Sequence, residues 1–544
     1  MTLSPPALAL LILPFLTAVP QQDCGPSAPE TGGVTGCPSC WRSVLYPENW
    51  TPEFTDSEGK FLHDFSYAGY HNGELEPPDA PPGATFDVTT HGADASGVQD
   101  STAGIQAAIN AAQAAGGGVV WLPAGSYLCH GLLTVTGSGV VLRGAGPTST
   151  KLVFTRSSSM TGQNHISFKG TPQLGAQLAL AANGVSRSHV VRLADASSLS
   201  PGDDVQVGWT ITDAFVERHE MTDTWVAFNG QWKQFFQRTI TRIDMSATPH
   251  IVELDVPLRY AAFTSDGASL RKVTGYLQEV GIEDLGVTNA VAWSDAWDND
   301  RASAIGMNFV KDAWVRNVHS FDSPWSDDDR NDHLMSCGIL VLESKRVTVM
   351  DSNMSEAQNR GPKGNGYLFQ VRSSCEVLFK DSVGRAGRHN FIQSYFGASG
   401  NVWLRTESHD GRAYKGTWDP VGITGCSDFH HSLSMANLID DSVTDDCWAV
   451  ENRNDWSTGA GLTATETVFW RLRGGGKVRS YNDGLGYVIG TDDISVKTSL
   501  NVIDPFINKD EHTEPEDYTE GIDLGSELRP LSLYESQRAK RLAP

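Results

Sequence analysis

Three consecutive stretches decide the fold: Phe86-Asp-Val-Thr-Thr-His-Gly-Ala-Asp94, Asp100-Ser-Thr-Ala-Gly-Ile-Gln-Ala-Ala-Ile-Asn-Ala-Ala-Gln-Ala-Ala115 and Gly116-Gly-Gly-Val-Val-Trp-Leu-Pro-Ala-Gly-Ser-Tyr127. In the second, Ile105, Ala108, Ile109 and Ala112 recur at the three-and-four spacing of one helix face. Asp100 or Ser101 stands at the N-cap, and the glycines at 116–118 end the helix. A short apolar run, Val119-Val-Trp-Leu122, follows, so this stretch predicts a capped helix that feeds strands.

Working outward, the strands lack the alternation of hairpins. They are short apolar runs between Gly, Asn, Asp and Ser turns, first Gly139-Val-Val-Leu-Arg143 and Lys151-Leu-Val-Phe154. The pattern returns in Ala313-Trp-Val-Arg-Asn-Val318, Val347-Thr-Val-Met350, Glu376-Val-Leu-Phe379, Asn401-Val-Trp-Leu404, Asn437-Leu-Ile-Asp440 and Val468-Phe-Trp470. A spacing of roughly 25 to 36 residues suits the coils of a solenoid, each carrying its own loop.

Between 186 and 262 the rhythm breaks. Val190-Val-Arg-Leu-Ala-Asp-Ala196, Phe236-Gln-Arg-Thr-Ile-Thr-Arg-Ile243 and Ile251-Val-Glu-Leu-Asp-Val256 alternate as antiparallel strands do, which predicts an inserted small β subdomain flanking the main body. At the far end, Ser532-Leu-Tyr-Glu535 is a capping box opening a short helix, expected to shield the open end of the solenoid. The expected divisions are a signal peptide over 1–20, an irregular arm over 21–83, first coils over 84–185, the insert over 186–262, main coils over 263–500 and a C-terminal arm with its helix over 501–544. The apolar run at 7–19 is too short for a membrane span and polar residues follow at once, so export is expected.

Eight cysteines suit an oxidising compartment, where disulfides together with some buried thiols are expected. A net charge of −24 over 544 residues argues against nucleic acid as a partner, and no membrane span follows the leader. Against that background, residues 345–415 hold eleven Lys/Arg and six Asp/Glu, a local +5. An anionic, chain-like extracellular polysaccharide is the partner such a reversal predicts, met by a monomer.

The quoted motifs Phe86-Asp-Val, His91-Gly-Ala, Asp100-Ser-Thr, Ile105-Gln-Ala-Ala-Ile109, Gly116-Gly-Gly-Val-Val and Leu122-Pro-Ala-Gly-Ser-Tyr127 resemble the opening segment of the pectate-lyase-like superfamily. That resemblance implies an all-β, right-handed single-stranded parallel β-helix with an N-terminal capping helix. The superfamily includes polygalacturonases, polysaccharide lyases, β-1,3-glucanases and phage tailspikes, so it implies much about fold and little about chemistry.

Candidate chemistry concentrates in Arg385-Ala-Gly-Arg-His-Asn390, Ser408-His-Asp-Gly-Arg412 and Ser427-Asp-Phe-His-His-Ser432, loops that successive coils would bring together. Removing the proton α to a uronate carboxylate needs a cation and a base. Arg388, with Lys363, His389 and His430, is assigned to catalysis. Arg360, Arg385, His409, Asp410, Arg412, Trp418, Asp428 and His431 are assigned to substrate binding. Tyr395, Trp403 and Trp456 are further aromatics available to stack on sugars. Asp327 and Asp329 are the candidate ligands for Ca2+, an ion that assists many lyases of the fold the resemblance implies. A lyase acting by β-elimination leads. A glycoside hydrolase using a pair drawn from Asp410, Asp428, Asp440 and Asp441, and a non-catalytic glycan-binding adhesin, remain open.

Overall fold

The computed structural model describes residues 39–327, 330–414, 420–498 and 515–543. The chain divides into two compact units, Met1–Ser39 and Cys40–Pro544, and every element below belongs to the second. The proposed leader lies outside the described residues.

The main body is a right-handed parallel β-helix. Two faces come from a 19-stranded sheet bent around a corner, and the third is a 10-stranded sheet. One coil shows the pattern: Lys345–Met350 on the first face, Asn353–Ser355 on the second and Tyr367–Arg372 on the third. The next coil repeats it with Leu378–Lys380, Val383–Arg385 and His389–Ser394. Parallel register places like on like: Val315, Val349, Phe379, Trp403, Ile439, Phe469 and Val488 are paired in succession. All are fully buried, so each apolar run in the sequence is one rung of a continuous core. Phe379 and Trp403 stack with ring centroids 4.0 Å apart. Trp403 is thus core, not a sugar platform.

The corner between first and second faces carries a repeat that the sequence reading missed. Asp351, Asp381 and Asp441 each adopt positive φ, near +50°, where Asp is among the better tolerated residues. Each is followed by a serine, Ser352, Ser382 and Ser442, that turns inward. The Ser352 N–H donates to Ser382 Oγ at 3.1 Å, and the Thr406 N–H to Ser442 Oγ at 3.0 Å. These hydroxyls satisfy corner amides that no ladder reaches.

The helix at Thr102–Ala114 buries Ile105, Ala108, Ile109 and Ala112, as its period predicts. Asp100 supplies the cap, accepting the Thr102 N–H at 3.0 Å. Gly118 is required where the chain leaves the helix, since a Cβ there would meet the Ala84 carbonyl oxygen at 2.4 Å.

Antiparallel strands run from Gln173–Leu174 to Ser269–Thr274, a wider span than 186–262. Trp209, Trp225 and Phe235 pack there with Phe396, Leu433 and Met435 of the coils. Buried ion pairs join the two parts: Asp204 with Lys311 and Lys345, both at 2.7 Å, and Glu376 with Arg259 at 3.0 Å. Arg346 pairs with Asp312 at 2.6 Å. Much of the local positive charge in the sequence is therefore taken up by ion pairs. Arg360, Lys363, Arg385 and Arg405 are also paired, with Glu356, Asp300, Asp410 and Asp381.

The arm packs along the outer side of the first face. Leu45, Tyr46, Trp50, Leu62 and Phe65 cover Leu378, Val402, Leu438 and Trp470. The C-terminal helix, Leu533–Leu542, joins this flank and does not close an open end of the solenoid: Gln537 bonds the Phe65 N–H and the His63 carbonyl, each at 2.8 Å. Its N-cap is as expected, with Ser532 Oγ accepting the Glu535 N–H at 3.0 Å. Among the described residues, no helix is long and apolar enough to cross a membrane.

Candidate functional site

On the third face, Tyr367–Arg372, His389–Ser394, Ser427–His431 and Cys447–Val450 stack in that order. Phe369, Phe391, Phe429 and Trp448 point into the core. Strand alternation then turns Asp428 and His430, which flank Phe429, outward. The coils meet closely here: a Cβ on Gly425 would lie 2.0 Å from the Arg388 carbonyl oxygen. A disulfide between Cys426 and Cys447 staples two of these strands, while Cys129, Cys337 and Cys375 are buried free thiols.

Asp428 is the hub. Its Oδ2 accepts from His430 Nδ1 at 3.1 Å and from Arg453 Nη1 at 3.0 Å. That fixes the His430 tautomer, leaving Nε2 to accept the Tyr367 hydroxyl at 3.1 Å. His389 donates from Nδ1 to the Cys426 carbonyl, with Asp428 Oδ1 3.5 Å away, and its buried Nε2 has no partner. Arg388 donates to the Gly361 carbonyl at 2.5 Å.

Burial dominates the protonation of this cluster. It drives His389 down to about 3 even though Asp428 pulls the other way, and Arg388 and His430 add to the lowering. Burial likewise lowers His430, aided by Arg453, His431 and Arg388. The Tyr367 hydroxyl is pushed up, again by burial first. Two neutral imidazoles and a neutral phenol therefore face arginines at neutral pH.

Of the expected site residues, Arg388, His389, Asp428 and His430 come together, with His431 beside them, stacked on Tyr395. The others do not join. Lys363 is an exposed partner of Asp300 at 3.2 Å, and Arg360 bonds the Ala357 carbonyl at 2.7 Å. His409 belongs to the second face, held by Asp445 at 2.7 Å and Glu407 at 3.1 Å, with Arg385 and Asp410 paired nearby at 2.5 Å. Arg412 opens a small hairpin, Arg412–Tyr414 with Pro420–Thr424, and Trp418 lies outside the described residues. Of the carboxylates offered for a hydrolase, Asp440 lies buried under the C-terminal helix, Asp441 pairs with Arg471 and Arg473, and Asp410 and Asp428 stand on different faces.

Tyr367 and Arg453 were missed. Tyr367 begins an apolar run and reads as core. Arg453 sits in a polar loop whose return to Asp428 only the fold reveals.

For Ca2+, Asp327 already accepts the Trp293 N–H at 2.9 Å, and Asp329 lies outside the described residues. Neighbouring Asp332 accepts from Gln358 Nε2 at 3.2 Å. Among the described residues, these two oxygens already face protein donors. His389, Asp428 and His430 offer ligand-type atoms within 4.8 Å of one another, but Arg453 donates into the same carboxylate.

Residues 85–215 match the family described as rhamnogalacturonase A/epimerase, pectate lyase-like. The chain is 44% identical over 85 residues to mannuronan C5-epimerase AlgE1 of Azotobacter vinelandii, which is 14% of this chain and 6% of that protein. It therefore spans only a small part of that relative. Among solved structures, the tailspike gp61 of Pseudomonas phage phi297 is similar with TM-score 0.44 and 13% identity, over 76% of this chain and 70% of that one. The A-module of Azotobacter vinelandii mannuronan C-5 epimerase AlgE6 is similar with TM-score 0.35 and 11% identity, over 80% of this chain and 98% of that one. The family match ends before the strands that carry Tyr367, His389 and Asp428. The match falls on the first coils and the capping helix, so the opening segment of this right-handed parallel β-helix is similar to that of the pectate-lyase-like proteins.

Proposed function

We propose that this chain is a secreted enzyme that cleaves a uronate-containing polysaccharide by β-elimination on its third face. The observation that carries the reading is His389: a buried, neutral imidazole whose Nε2 has no protein partner, with its ring centroid 5.1 Å from Tyr367 and 5.2 Å from His430. Similarity of residues 85–215 to the family described as rhamnogalacturonase A/epimerase, pectate lyase-like, and of 85 residues to a mannuronan C5-epimerase supports a polysaccharide substrate, and the leader-like segment at 1–20 supports export.

In this reading Arg388 faces the uronate carboxylate and offsets the charge that develops as the α carbon loses its proton. His389 Nε2 accepts that proton. The electron pair forms the C4–C5 double bond as the C4–O bond breaks, and the Tyr367 hydroxyl turns its hydrogen from His430 Nε2 to protonate the leaving oxygen. His430 holds that hydroxyl, itself aligned by Asp428 and Arg453. The proton on His389 returns through solvent to Tyr367, so nothing is consumed. No step uses a metal ion.

The test is incubation with polygalacturonate, alginate and glucuronate polymers in deuterated water. Elimination produces ultraviolet absorbance from the double bond conjugated to the carboxylate. Deuterium entering C5 without absorbance would replace elimination by epimerisation, and binding without either change would leave an adhesin.

A further inference from the structure

Beyond the cluster around Asp428, a second polar row crosses the same face. Arg372 is in register with Ser394, and Ser394 with His431, so the three form a line across successive coils. Tyr395 follows Ser394. Its ring lies within 10° of parallel to His431, with centroids 4.6 Å apart, and the Arg372 guanidinium lies 4.7 Å from the Tyr395 ring centroid. Guanidinium, phenol and imidazole thus form one stack, with all three side chains half-buried.

The stack is built rigidly. Tyr395 adopts φ +75°, a conformation that bulky residues rarely hold without support. The support is its neighbour: Phe396 is buried against Trp225, Phe228 and Phe235 of the antiparallel insert, with centroids 5.6, 5.4 and 5.3 Å away. The chain must turn sharply to plant Phe396 in the insert and leave Tyr395 on the face. The Tyr395 N–H bonds the His431 carbonyl at 3.2 Å.

The chain has 65 Asp/Glu and 41 Lys/Arg, and on this face Arg453 and Arg479 are paired with Asp428 and Glu451. No described carboxylate lies within ion-pair distance of Arg372. His431 Nδ1 is buried without a partner. A planar fork fixed on an aromatic shelf, with an unfilled ring nitrogen behind it, matches a carboxylate that also presents an apolar ring face. Arg372 closes the strand that Tyr367 opens, about 17 Å from it at the usual strand rise. His431, whose ring centroid lies 5.4 Å from that of His430, joins this row to the catalytic cluster, and Arg372 extends it towards the other end of the strand.

We propose that Arg372, Tyr395 and His431 form a second uronate-binding subsite, which holds the carboxylate of a sugar other than the one that reacts and makes the enzyme selective for a continuously charged stretch of polymer. This rests on the uronate reading above. The insert gains a role from it, as the anchor of Phe396.

The experiment compares wild type with Arg372→Gln and Arg372→Lys, on polygalacturonate and on its partly methyl-esterified form. Both turnover and direct binding by calorimetry are read. Losing one charge-assisted contact should raise KM on the fully charged polymer by about tenfold or more, with kcat nearly unchanged and partial recovery in the lysine variant. Esterification should shrink the difference between wild type and Arg372→Gln. A wild type that turns over the polymer with the same KM as Arg372→Gln overturns the subsite and leaves the elimination chemistry standing. A wild type that binds polygalacturonate without altering it, and binds it more tightly than Arg372→Gln does, supports the subsite and overturns the chemistry. Absence of both binding and turnover overturns both.

Discussion

Tyr367 Oη lies 3.1 Å from His430 Nε2 although the two are 63 residues apart in the chain. The contact exists because both belong to the third face, and it orients the phenol that the proposed reaction uses as its acid.

Tyr367→Phe should fold like the wild type and lose turnover by on the order of 10²-fold to 10⁴-fold, the usual worth of a general acid. Initial rates beside a thermal melt check this. An unchanged rate removes Tyr367 from the mechanism.

Arg453→Met should move the acid limb of the rate profile to higher pH. Arg453 is one of the cations that hold His430 below its ordinary range, so removing it makes the ring easier to protonate, and the neutral form is lost sooner as pH falls. Imidazole titration by NMR would report the same shift in direction.

Opening the Cys426–Cys447 disulfide, by Cys447→Ala, should cost about 2–4 kcal/mol of stability, as for closed loops of comparable length. Activity should fall further than folding does, because the Cys426 carbonyl positions His389. Denaturant melts and rates measured well below the transition separate the two effects.

Asp440 gives a pH signature far from the site. Burial raises its carboxyl from 3.8 to about 7, although Ser532 Oγ, the Leu533 N–H and the Tyr534 N–H all donate to it. Because the folded value exceeds the unfolded one, the stabilising contribution is full below the unfolded value and fades as pH rises through about 7. Asp440→Asn removes that dependence. The stability of wild type relative to this variant should therefore decline as pH rises from about 4 to about 7 and level off above that, as seen in denaturation midpoints.

Legibility followed the range of the interactions. The capped helix at Thr102–Ala114 and the apolar rungs were plain in the sequence because period and capping act within a few residues. So was the Ser532 cap. The Asp351-Ser352, Asp381-Ser382 and Asp441-Ser442 repeat was equally present and passed unread, since its meaning depends on a corner at which each pair recurs.

By itself the sequence determined a coiled stack of short parallel strands with a helix at its start, and it placed Arg388, His389, Asp428 and His430 in adjacent coils. Only the tertiary structure decided which charges remain available. Lys345 is consumed by Asp204 of the insert and Arg346 by Asp312 of the neighbouring coil and Asp255 of the insert, whereas Arg372 and Arg453 reach the third face. Ion pairing acts through space between segments whose separation along the chain sets no distance, so a count of charges along the sequence cannot reveal it.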